Sequence, residues 1–221
     1  MILDNVKLAR YSKEEELANS LSHGLGALFA IGVFVVCLAR AVQVSGAAMI
    51  TAAAVYGASM VILYGSSTAY HSFPVGTAKK ILRIVDHSMI FLLIAGSATP
   101  FALISVYKVS PALAWTVFGV VWTGLAVGIS ATVINFEKSK KLQMVLYLGL
   151  GWAMVFLIKP MLKVMPKTGI ALIIAGGLLY TVGTIFYAAG KKVKYMHTLF
   201  HIFVLAGSAV HFVCIYKYVL A

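Results

Sequence analysis

Residues 196–219 read MHTLFHIFVLAGSAVHFVCIYKYV, an apolar run of 24 residues that carries a single lysine. About 20 such residues cross the hydrocarbon of a bilayer as a helix, whereas membrane strands are shorter and alternate in polarity. Six further runs have the same character, at about 20–43, 48–71, 81–106, 111–134, 142–161 and 168–189. The chain is 62% hydrophobic and 11% charged, where a soluble domain carries about 25% charge. These features specify an all-α polytopic membrane protein, a seven-transmembrane-helix bundle in one domain over residues 1–221. Residues 1–19 form a short polar segment ahead of it.

Net charge is +12, which raises the question of nucleic acid. The lysines are dispersed through short connections such as SFPVGTAKK, NFEKSKK and AGKKVKY, so no basic domain exists to grip one; they orient the helices instead. Lys7, Arg10 and Lys13 precede the first span. Lys79, Lys80 and Arg83, then Lys138, Lys140 and Lys141, then Lys191, Lys192 and Lys194 fall on the same side. Those twelve face six on the other side: Arg40, Lys108, Lys159, Lys163, Lys167 and Lys217. The expected topology is N-terminus inside, C-terminus outside. The polar start MILDNVKLARYSKEEEL has no apolar core, so no cleavable signal peptide is expected. Cys37 and Cys214 lie in apolar spans without paired spacing and read as packed thiols. Gly124 and Gly128 form a GxxxG that permits close helix contact. Pro100 should kink the third helix and free a carbonyl for Ser97 or Thr99.

Acidic residues are sparse. Between Glu16 and Glu137 there is only Asp86, and none follows Glu137. A lone carboxylate at the edge of a span is a functional candidate; the alternative is an ion pair with Arg83, one turn back. In the expected topology His71 ends the second helix, Asp86 begins the third, and His197 and His201 begin the seventh, all at the inner leaflet. His197 and His201 are four apart, so their rings leave one helical face with roots about 6 Å apart. A helix offers two nitrogens to one metal at this spacing, as in HExxH, but Thr-Leu-Phe intervenes here and no Glu. The base would then be Asp86 and the third ligand His71. Three neutral imidazoles with one open position are a catalytic Zn2+ arrangement. Ser67 lies one turn before His71, with Tyr64 a turn further back. Ser67 either bonds a ligand, a water or a substrate oxygen, or returns to its own helix carbonyl.

The segments SSTAYHSF, RIVDHSMIFLLIAGSATPF and HTLFHIF, together with EEELANSLSHGLG near the start, resemble the signature of the hemolysin III proteins. These are bacterial relatives of the progestin and adiponectin receptors, in a wider group with alkaline ceramidases. The likeness runs from about residue 14 to 219. It implies seven helices, a cytoplasmic N-terminus and an intramembrane zinc near the cytoplasmic face. His71, His197 and His201 match the zinc ligands, Asp86 the acid that meets zinc through water, and Ser67 the supporting serine. Ala98 departs from the pattern, where an aromatic residue is expected before Thr-Pro.

His23 shares a face of the first helix with Glu16 and Asn19. These three and Tyr64 are candidates to surround the ligands, although His23 also reads as a hydrogen-bonded helix start. His87 points about 100° from Asp86 and reads as interfacial. His211 lies about 21 Å along the axis from His197 and reads as a buried partner of a neighbouring helix.

The leading functional expectation is a zinc-dependent hydrolase of the bacterial plasma membrane. Asp86 would activate water against an amide or ester of a membrane lipid entering sideways, and Ser67 would help hold the oxyanion. The likeness to ceramidases supports that class. A pore-forming cytolysin and a membrane-homeostasis or receptor-like protein with structural zinc are the alternatives. Only the seventh helix carries a sustained polar line for a pore (His197, His201, Ser208, His211), and no long cytoplasmic segment is present to recruit a signalling partner.

Overall fold

The computed structural model describes residues 2–190 and 192–221; Lys191, one of the twelve orienting cations, lies outside the described residues. Seven helical spans are long and apolar enough to cross a membrane, and no strand occurs among the described residues. They are α1 (Lys13–Val44), α2 (Ala47–Ser72), α3 (Thr77–Pro100) with its continuation Phe101–Val106, and α4 (Pro111–Ile134). Next come α5 (Phe136–Trp152), joined through Ala153–Leu157 to the single turn α6 (Ile158–Met161), then α7 (Lys167–Ala189) and α8 (Met196–Cys214), which continues through Ile215–Val219. The protein is a multi-pass membrane protein.

The helices pack in sequence, α1 along α2, α2 along α3, α3 against α4 and α4 against α5, and the ring closes through α7 on α8 and α8 on α1. Within it α3 is the interior element. Two thirds of its most apolar window (67%) is buried in protein, against 28–44% for the other spans. That burial explains why α3 carries polar groups that lipid would not tolerate. The outward faces are apolar, as at Leu21, Leu25 and Leu28 on α1.

Hydropathy misplaces some helix ends, and the reasons are local. α1 starts at Lys13 rather than near residue 20 because Ser12 and Glu15 form a capping box. The Ser12 hydroxyl accepts from Glu15 N at 3.3 Å and Glu15 Oε2 accepts from Ser12 N at 2.9 Å. Asn135 caps α5 through Lys138 N at 3.1 Å and draws that helix back to Phe136, six residues before the apolar run. The later part of the same span tightens into narrower turns over Ala153–Leu157. Beyond Pro100 the turns of α3 widen over Phe101–Val106. Ser97 and Thr99 bond the carbonyls of Ile94 (3.1 Å) and Ala95 (2.7 Å). The carbonyl left by the missing proline N–H is that of Gly96, so neither hydroxyl serves it, contrary to expectation.

Gly124 and Gly128 do not bring two backbones together. A Cβ at Gly124 would meet the Leu150 side chain, and one at Gly128 the Phe91 ring. Backbone approach occurs instead at Gly57, where a Cβ would lie 2.7 Å from Cα of Phe34. Cys37 and Cys214 are buried and unbridged, with the Cys214 thiol donating to the Gly169 carbonyl at 3.3 Å.

Candidate metal centre

α2 stops at Ser72 because Phe73 precedes Pro74, and a residue before proline is driven out of the helical region. His71 therefore sits on the last turn, at the end of the bundle that carries the N-terminus. α8 begins beside it after a sharp corner. Tyr195 adopts φ 62°, a left-handed conformation costing an ordinary residue roughly 1–2 kcal/mol. Its N–H donates to Glu15 Oε1 at 3.1 Å. Glu15 thus holds the start of α1 to the start of α8 and fixes the entry of His197, two residues on. The signal for this was the Ser-Lys-Glu-Glu capping pattern, which hydropathy does not register.

His71, His197 and His201 are buried, and one ring nitrogen of each lies within 4.8 Å of the others. The outer nitrogens of His71 and His201 fix the tautomers of those two rings. His71 Nδ1 meets Glu16 Oε2 at 2.6 Å, and Lys79 Nζ closes the carboxylate's other oxygen at 2.8 Å. His201 Nδ1 faces the Asn19 carbonyl at 3.2 Å and Ser22 Oγ at 3.1 Å. A carbonyl only accepts, so Nδ1 is the donor and Nε2 keeps its lone pair. The same argument at the Glu16 carboxylate leaves His71 Nε2 free, and that atom is buried without a partner.

His201 Nε2 and His197 Nε2 face each other at 3.1 Å. Because His201 Nε2 keeps its lone pair, that separation is bridged either by a proton on His197 Nε2 or by a cation. Zn–N bonds of about 2.0–2.1 Å in a tetrahedron put neighbouring nitrogens about 3.3 Å apart, close to the separation found. The donor set, the fixed tautomers of His71 and His201 and the orphaned His71 nitrogen fit a metal ion. Bonding the far nitrogen to a carboxylate or carbonyl is the usual support for a metal-binding imidazole.

Other residues singled out from the sequence gather here to different degrees. Asn19 accepts from Thr198 Oγ1 at 2.6 Å besides receiving His201. His23 is buried three turns into α1, so it is no helix start; its ring stacks on His201 at 3.5 Å between centroids, 12° from parallel. Tyr64 does not reach the ligands. Its hydroxyl donates to Ser208 Oγ at 2.7 Å, and its ring meets the edge of His23. Ser67 Oγ is buried without a hydrogen-bond partner. Asp86 is buried and forms no ion pair with Arg83, whose guanidinium lies over the Phe136 ring at 5.0 Å. Its nearest cation-forming neighbour is His87, 3.6 Å away.

His87 is itself buried in protein. Its Nδ1 donates to the Arg83 carbonyl at 3.0 Å, and its own carbonyl accepts from the Tyr147 hydroxyl at 2.6 Å. Tyr11, which the sequence did not single out, stacks on His197 at 5.2 Å, 20° from parallel. Burial raises its phenol well above the usual range, so it covers the site as a neutral ring.

Asp86, Ser67, His197 and His201 share the wall of one cavity that runs through the bundle to His211. Most of its lining is apolar, including Ile90, Leu93, Met144, Leu148 and Val204.

The protein-family description "Haemolysin-III related" matches residues 11–212. Hemolysin-3 of Bacillus cereus is 38% identical over 207 residues, 94% of this chain and 93% of that one. The Hemolysin-3 homolog of Bacillus subtilis (strain 168) is 38% identical over 208 residues, 94% of this chain and 96% of that one. Monocyte to macrophage differentiation factor of Homo sapiens is 28% identical over 171 residues, 74% of this chain and 68% of that one. With a buried histidine triad at one end of a seven-helix bundle and this agreement along almost its whole length, the chain belongs to the haemolysin-III related family.

Proposed function

We propose that His71, His197 and His201 hold a zinc ion at the cytoplasmic boundary of the bacterial plasma membrane, and that the site hydrolyses an amide or ester of a membrane lipid. The observation that carries this reading is a cluster of three imidazole nitrogens, two of whose rings, His197 and His201, line a largely apolar cavity whose wall also bears Asp86 and Ser67. When bound, zinc would supply a Lewis acid for a carbonyl and lower the pKa of water toward neutrality.

The chain's own residues do the rest. Glu16 and the Asn19 carbonyl keep His71 and His201 in the tautomers that present Nε2. The apolar wall receives an acyl chain and keeps bulk water from the reacting carbonyl. Asp86, as a carboxylate, takes the proton of the attacking water and returns it to the leaving group. Ser67, whose hydroxyl lies beside Asp86 on the cavity wall, donates to the developing oxyanion. The balance of twelve cations against six supports the N-terminus-inside orientation, and the Bacillus relatives support a bacterial membrane.

The test is turnover of lipid amides and esters by detergent-purified protein. Asp86→Asn should retain metal and lower the rate by about 10²-fold or more, and chelation should stop it. Equal rates for the unaltered protein, His71→Ala and Asp86→Asn would refute the hydrolase reading. A second reading, zinc as a structural clasp, draws on the outer partners of the ligands, which join α1 to α2 and α8. It predicts a large loss of thermal stability on chelation with no turnover in any state. A cytolytic pore, suggested by the name of the Bacillus relatives, gains no support from α8, because His197, His201, Ser208 and His211 are all buried in the bundle.

A further inference from the structure

The apolar cavity ends in a polar group that the hydrolytic reading leaves unused. His211, buried on α8, lines its far part, and a Cβ on Gly176 of α7 would collide with the imidazole. That glycine makes room for the ring. His211 Nε2 meets the Ile173 carbonyl at 3.1 Å, so Nε2 carries the proton and Nδ1 keeps a lone pair. Nδ1 is buried with no hydrogen-bond partner. Its polar neighbours along the cavity are already engaged. The Tyr180 hydroxyl pairs with Ser208 Oγ at 2.9 Å, and Trp152 Nε1 donates to Thr181 Oγ1 at 3.0 Å. Nδ1 is therefore an acceptor awaiting a donor, in surroundings where an unmade hydrogen bond is costly.

From the helical rise, His211 lies about 15 Å beyond His201 and about 21 Å beyond His197. That is the length of a long acyl chain, since each leaflet of the hydrocarbon layer is about 15 Å thick. We propose that the far end of the cavity is a second binding site, in which His211 Nδ1 accepts a hydrogen bond from a hydroxyl at or near the end of the ligand's acyl chain. The site would select ω-hydroxylated lipids over plain ones. This inference rests on the reading of the cavity as an acyl-chain site.

The experiment measures displacement of radiolabelled hexadecanoic acid from the detergent-purified full chain by unlabelled hexadecanoic, 2-hydroxyhexadecanoic and 16-hydroxyhexadecanoic acids. The 16-hydroxy acid should bind about 5- to 10-fold more tightly than hexadecanoic acid, the worth of one buried hydrogen bond. The 2-hydroxy acid should gain nothing comparable. His211→Leu should abolish the preference while hexadecanoic acid still binds. Equal affinities in the unaltered protein, which needs no variant to fold, would overturn the second site and leave the acyl reading standing. Absence of any saturable hexadecanoic acid binding would overturn both. A preference that survives in His211→Leu of unchanged melting temperature would remove the role assigned to His211.

Discussion

Glu16→Gln tests how the protein prepares His71. The Glu16 carboxylate is 20% exposed, and it meets His71 Nδ1 at 2.6 Å and Lys79 Nζ at 2.8 Å. An amide of the same size can still accept from Nδ1 through its oxygen, but it loses the charge that makes the bond short and the imidazole a stronger donor to metal. It also leaves the Lys79 ammonium, 3% exposed, with only neutral partners, the Phe73 carbonyl 2.9 Å away and the Tyr70 ring at 5.1 Å. An uncompensated cation then lies one carboxylate's width from the metal ligand. Replacing such outer partners costs about 10- to 100-fold in metal affinity, equal to about 1.4–2.7 kcal/mol. The loss of charge and the stranded lysine both act against metal, so Glu16→Gln should fall in the upper half of that range. Lys79→Met in the same background should restore part of the loss. The assay is competition for zinc against a chelator of known affinity, with melting curves to confirm folding. Affinity within about twofold of the unaltered protein would refute the claim that Glu16 supports His71.

Two further outcomes concern the scaffold. Ser12→Ala should remove the capping box that begins α1 and lower stability by about 1 kcal/mol, read as a fall in melting temperature; unchanged melting would mean that Glu15 holds α8 without the cap. Gly57→Ala places a methyl against Cα of Phe34, which cannot rotate away, and should cost about 1–3 kcal/mol. Gly124→Ala, which meets only the flexible end of Leu150, should cost less, and the reverse order in thermal denaturation would contradict the packing described.

The seven spans were legible because burial in lipid imposes a length and a composition that nothing else in this chain imitates. His71, Asp86, His197 and His201 were legible because polar groups are rare there, so each one stands out and topology assigns its side. What stayed hidden depends on geometry between helices. Glu15 fell in the polar segment ahead of the first apolar run, where hydropathy gives it no role, yet it bonds the backbone of Tyr195, 180 positions away. His87 looked interfacial from its angle relative to Asp86, but α3 is the interior helix and the face that carries His87 packs on Phe136 and Tyr187. Tyr11 lay in a polar segment without periodicity, and only the return of that segment over the bundle brings its ring onto His197. Glu16 and Asn19 were placed on the correct face of α1, while their partners, His71 and His201, required the packing of α1 against α2 and α8.

The central claim is that the three histidines hold zinc. Its most direct test is the metal content, by mass spectrometry, of detergent-purified protein beside a folded His197→Ala/His201→Ala variant. The account predicts close to one zinc per chain in the first and almost none in the second. Near-zero zinc in both, after purification without chelators and with zinc supplied, would contradict it.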